Sequence, residues 1–159
     1  MPRLLPALLA LALCACGSGQ PTAAPDGGAA AHATRSANAR ATLGDAVLET
    51  STVPLADIGA AVAARYGIDV GREGVLLLVT VRNAAGDAIE PGDLRLEATA
   101  TVLPEGPRPL ALRRIETAGL TDYIGVVETR APATVQFRID ATRAGARAQI
   151  ASTAELVPR

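Results

Sequence analysis

Residues 94–103 read LRLEATATVL, and their side chains fall into two strict sets. Leu94, Leu96, Ala98, Ala100 and Val102 form one set, and Arg95, Glu97, Thr99 and Thr101 the other. A two-residue alternation suits a strand with one buried and one wetted face; a helix would repeat its apolar residues every three or four positions. The pattern returns at 135–141, where Val135, Phe137, Ile139 and Ala141 alternate with Gln136, Arg138 and Asp140. Residues 75–81 (VLLLVTV) are apolar throughout, which in so short a run predicts a strand covered on both faces. Further strands are expected at 44–53, 110–117, 121–129 and 148–157, separated by turns rich in Gly, Pro, Asn and Asp. About seven strands at roughly ten-residue spacing predict an antiparallel β-sandwich over 42–159, immunoglobulin-like in general architecture. A small barrel is the alternative. Only Tyr66, Tyr123 and Phe137 are aromatic, and that favours a thin sandwich filled by Ala, Val and Leu. One helix is expected between the first two strands, over 54–66, with Leu55, Ile58, Val62 and Tyr66 as its apolar stripe and Gly67 as its C-cap.

The first residues have another purpose. Arg3 precedes the apolar run 4–13 (LLPALLALAL), about half the length a spanning helix needs, so 1–15 reads as an export signal peptide. Leu13-Cys14-Ala15-Cys16-Gly17 resembles the bacterial lipoprotein lipobox, with Leu13, Ala15 and Cys16 at its defining positions and Cys14 where Ala, Ser or Thr is usual. The resemblance implies lipidation at Cys16, as a diacylglyceryl thioether plus an N-acyl chain, and a mature chain that starts there. Several acyl chains give a stable membrane hold. Gly17 in place of Asp favours the outer membrane over the inner one. The alternative is an ordinary secretory signal cut after a small residue. Residues 16–41 are expected to be the lipidated cysteine and a flexible tether. Positions 17–41 hold no Leu, Ile, Val or aromatic residue, and such a chain spans roughly 25–30 Å. His32, the single histidine, lies in this tether without a metal-ligand partner at suitable spacing.

Chemistry is sparse in the domain itself. The chain carries a formal charge of −1, and all 15 of its basic residues are arginine. Such a balance excludes a nucleic-acid footprint. Residues 42–159 contain no His, Cys or Lys, so the commonest general base and the commonest thiol and amine nucleophiles are missing. Asp45 with Glu49, and Glu116 with Asp122, are the nearest things to carboxylate pairs; both read as outward-facing strand and turn acids. Asp87, Glu90 and Asp93 are spaced for a hard cation but lack a calcium-loop order, and they read as two turns. Residues 67–74 (GIDVGREG) follow a helix and lack a phosphate-loop Lys. Arg113, Arg114, Arg138, Arg143 and Arg147 are interspersed with acids, as on a salt-paired surface. No metal, cofactor or catalytic residue is expected.

Four stretches resemble the proteobacterial envelope proteins grouped as domain of unknown function 4426. They are Val62-Ala-Ala-Arg-Tyr-Gly-Ile68, Gly74-Val-Leu-Leu-Leu-Val-Thr-Val81, Leu112-Arg-Arg-Ile-Glu116 with Asp122-Tyr-Ile-Gly125, and Val135-Gln-Phe-Arg-Ile-Asp140. They occur in the family's order from about Leu43 to the C-terminus. The family's aromatic and polar groups are missing after Gly44-Asp45 and from Ala151-Ser-Thr-Ala-Glu-Leu156. The resemblance implies the fold and an envelope setting, and no mechanism. The expected role is a non-enzymatic protein-interaction module, lipid-anchored through Cys16 and facing the periplasm, with an envelope protein as partner. The alternative is a small-ligand or lipid carrier, which needs a cavity between the sheets or under the helix; a carboxylate-only enzyme comes last.

Overall fold

The computed structural model describes residues 38–159. The signal segment, the lipid site at Cys16, His32 and the tether before residue 38 lie outside the described residues. In chain order the strands are β1 (Ala39–Leu43), β2 (Ala46–Pro54), β3 (Gly74–Arg82), β4 (Arg95–Val102), β5 (Arg108–Leu110), β6 (Arg113–Thr117), β7 (Leu120–Glu128), β8 (Ala133–Arg143) and β9 (Ala146–Leu156). All pairings are antiparallel. The first sheet runs β1-β2-β3-β7-β6 and the second β5-β4-β8-β9. The two inner faces meet in one core that contains Leu43, Leu48, Val75, Leu77, Val79 and Val81 from the first sheet and Val135, Phe137, Ile139 and Ile150 from the second. The architecture is the expected sandwich.

β3 is covered on both sides, as its unbroken apolar run predicts. Val75, Leu77 and Val79 face the second sheet and are fully buried. Leu76, with Leu78 beside it, faces the other way, under Leu55, Ala63 and Ile68, in a smaller core shared with Ile115 and Ile124. The segment between β2 and β3 thus roofs the outer face of the first sheet.

That segment corrects the expected helix over 54–66. Pro54 ends β2, Leu55–Asp57 make a single 3-10 turn, and the α-helix α1 is only Ala60–Tyr66. Ile58 is extended (φ −80°, ψ 119°), and Gly59 caps the helix by backbone alone. The helical phase set by Leu55 and Ile58 therefore does not carry forward: Val62 is 44% exposed, and Ala63 takes the buried position. Gly67 does end the helix, in the left-handed conformation (φ 59°), its N–H reaching the carbonyls of Ala63 and Ala64.

Nine described strands replace the expected seven. β1 falls partly within residues assigned to the tether and pairs with β2 from Ala39↔Thr50 to Leu43↔Ala46. Its Ala39 and Ala41 pack, partly buried, against the main core. Gly44 and Asp45, expected within the first strand, form the hairpin turn, with Gly44 at φ 67°. The strand expected at 110–117 is two strands in different sheets. β5 pairs with β4 and β6 with β7, and the chain crosses between layers at Ala111 and Leu112. Gly125 on β7 makes room for that crossing: a β-carbon there would lie 2.9 Å from Leu110 Cδ2 and 3.0 Å from Leu112 Cδ2.

Candidate functional site

The carboxylates that sequence nearness brings together are separated by the fold. Asp45 sits in the β1–β2 turn and pairs with Arg143, while Glu49 pairs with Arg40 at 3.2 Å. Glu116 and Asp122 lie on opposite faces of the first sheet, because Asp122 stands opposite Ile115 in the ladder. Glu116 pairs with Arg114 at 2.5 Å. Asp122 lies 2.8 Å from Arg82 Nη2, with both side chains largely buried (13% and 17% exposed). No aligned hydrogen bond joins them, so charge holds this pair. Arg82 also donates to the carbonyls of Val81 and Thr121, which ties β3 to β7. Sequence reasoning missed Arg82 as a partner; only the register across the sheet brings it to Asp122.

Asp87, Glu90 and Asp93 are engaged in turns. Asn83 Nδ2 donates to Asp87, and both Asp93 oxygens accept from the Ala144 N–H at 3.0 Å. Among the described residues no three His, Cys, Asp or Glu side chains are grouped to hold a metal ion. The five arginines are likewise dispersed. Arg113 donates to the Tyr66 carbonyl, Arg114 is paired, and Arg138 and Arg147 lie exposed on the second sheet.

Arg143 is the best-anchored of them. Its guanidinium reaches the carbonyls of Pro91 and Glu90 as well as Asp45, and so fastens the β1–β2 turn and the 87–93 loop to the end of β8. The Arg143 hydrogen bond holds the Asp45 carboxyl below its ordinary value. A depressed carboxylate contributes stability above its unfolded pKa, and that contribution fades as pH falls through the folded value. In a carbon-detected carboxyl titration, Arg143→Gln is expected to move Asp45 back up toward an ordinary aspartate. An unchanged Asp45 midpoint would remove the clamp as its cause.

Two surface features remain. One is a groove of about 540 Å³ at an end of the sandwich, lined by Pro54, Gly74, Ala131 and Leu156 and bordered by the Asp57–Arg159 ion pair. The other is the edge of β9 that faces away from β8. All eleven residues of β9 pair with β8, and among the described residues nothing follows β9 in the sheet order. β1 comes alongside at this corner but shares no ladder with it. The other edges are shorter: β1 and β6 have five residues each, and β5 has three, one of them Pro109. Proline and short length protect sheet edges from pairing. β9 has neither. Along its outward face stand Arg147, Gln149, Ala151, Thr153 and Glu155, mostly exposed.

The arrangement is that of a β-sandwich domain, the outer face of its first sheet roofed by the segment between β2 and β3, and β9 its longest edge strand among the described residues. The chain belongs to the family described as domain of unknown function DUF4426, whose model matches residues 40–155. It is similar in fold to a DUF4426 family protein of Pseudomonas aeruginosa PAO1, with a TM-score of 0.60 at 16% identity over 77% of this chain and 96% of that one. A weaker likeness is to FetP of uropathogenic Escherichia coli strain F11, with a TM-score of 0.47 at 10% identity over 77% of this chain and 97% of that one. No curated protein matches the sequence. Among the described residues no helix is long and apolar enough to cross a membrane.

Proposed function

We propose that this protein is a lipid-anchored envelope protein whose sandwich acts as a non-catalytic interaction module, with β9 as its contact edge. The observation that carries the reading is the eleven-residue edge of β9. Unpaired backbone N–H and C=O groups along an edge are a template for an added strand, and alternate side chains then select the partner. The anchor rests on the residues around Cys16, and the periplasmic, outer-membrane setting on the export signal and Gly17. A second reading, a small-ligand carrier, has a place to bind in the groove beside Leu156, whose volume lies in the range of ligand pockets.

Two measurements test the first reading. Cys16→Ser is expected to move the protein from the membrane fraction to the soluble fraction of fractionated cells; continued sedimentation with membranes would overturn the anchor. A photo-crosslinking residue at Thr153 is expected to form protein adducts in intact cells, while one at Ala61 on α1 does not. Adducts from position 61 with none from 153 would overturn β9 as the contact edge.

A further inference from the structure

We infer that the strand β9 receives is β9 of a second copy, antiparallel about a two-fold axis through Ala151; this rests on the reading of β9 as the contact edge. The argument is the order of side chains along the strand. In antiparallel pairing centred on Ala151, residues equidistant from it stand opposite one another. Arg147 then faces Glu155 of the second copy, and its Arg147 faces Glu155 of the first. Gln149 faces Thr153, and Ala151 faces itself. On the inward side Ala148 faces Ala154 and Ile150 faces Ser152, so no two large side chains collide. Centring on Gln149 or Thr153 loses the charge match, because Arg147 or Glu155 then falls opposite a neutral residue or beyond the strand.

Neither Arg147 nor Glu155 has an ion-pair partner among the described residues, although eight other ion pairs are formed. Both are exposed and lie directly on the edge strand. Opposite charges placed across a ladder stabilise it, and like charges so placed oppose it. A two-fold axis forms every such pair twice, as in other self-complementary contacts. Among the described residues no ladder has to break to admit the new strand, since β1 packs close to β9 without pairing with it. The pairing joins two four-stranded sheets into one continuous sheet across the axis.

Ala151→Cys in the full chain tests this directly, because the axis sets the two introduced thiols opposite one another. A short bismaleimide is expected to give covalent dimer with Ala151→Cys, and none above background with Ala61→Cys or the parent chain. Adding Arg147→Glu or Glu155→Arg to Ala151→Cys places like charges opposite one another twice and is expected to lower the dimer yield by about tenfold. Combining both reversals restores opposite charges and is expected to restore the yield. Dimer no greater than with Ala61→Cys, or no recovery in the double reversal, overturns the inference. A foreign envelope protein crosslinked from Thr153, with no homodimer from Ala151→Cys, overturns self-pairing and leaves β9 as the contact edge. No adduct of either kind from β9 overturns both readings.

Discussion

Phe137→Ala is expected to lower the free energy of unfolding by about 3–5 kcal/mol, read from urea denaturation of the full chain. Phe137 is the largest fully buried side chain of the domain, 2% exposed. Its ladder partners are small on both sides, Ala100 on β4 and Ser152 on β9. The ring therefore fills space that neither neighbour can reach. When it is removed the cavity persists, because alanine and serine have nothing to extend into it and backbone paired on both sides does not collapse. Domains of this size have a total stability of about 5–15 kcal/mol, so the loss is a large part of the whole. A loss under about 1 kcal/mol would mean that the two sheets close over the gap, and that the ring is not the spacer between them.

Gly74→Ala is expected to be the most damaging of the glycine substitutions and clearly worse than Gly125→Ala. Gly74 opens β3 opposite Glu128. A β-carbon there would overlap the carbonyl oxygen of Val127 and lie 3.1 Å from the Glu128 Cα. Both are backbone, so relief requires β3 and β7 to separate where their ladder begins. Overpacking against a core that cannot yield costs about 3 kcal/mol or more. At Gly125 the obstacles are the ends of Leu110 and Leu112, which have rotamers available, and about 1–2 kcal/mol suffices. The ranking is the test: equal midpoints in denaturant for the two variants would contradict it.

The legible parts of this fold were those where one physical signal acted alone. Alternation at 94–103 and 135–141 reports a half-buried strand, and both segments are strands within one or two residues of the expected limits. The unbroken run at 75–81 reports two-sided cover, and α1 and its flanking turn supply the second side. The helix is expected too long because Leu55 and Ile58 fall at helical spacing, whereas Leu55 is buried from a 3-10 turn and Ile58 is half-buried from an extended residue. β1 was missed because Ala39, Ala41 and the exposed Arg40 and Thr42 carry no apolar signal; the ladder to β2 holds them. The crossing at Ala111 and Leu112 was invisible, since it depends on the missing side chain of Gly125 in a different strand. Candidate site residues were judged by nearness along the chain, and antiparallel register undid that. Asp122 meets Arg82 of the adjacent strand, and Glu116 turns to the other face. The spacing of Arg147 and Glu155 about Ala151 is plain in the sequence, but it gains meaning only once β9 is known to be an edge.

The roof over β3 gives the domain a front and a back. On the roofed side Leu76 and Ile124 are already spoken for by Leu55, Ala63 and Ile68, so a visitor there meets helix and loop instead of pleated strand. Among the described residues the second sheet has no such cover: Glu97, Arg138 and Gln149 on its outward face are exposed, and Thr99, Thr101 and Thr153 are half-buried. Face-on, pleated strand is therefore offered by the second sheet and not by the roofed part of the first. The domain is thus two-faced, like a coin with unlike sides: helix and loop lie over the first sheet, and bare pleat shows on the second.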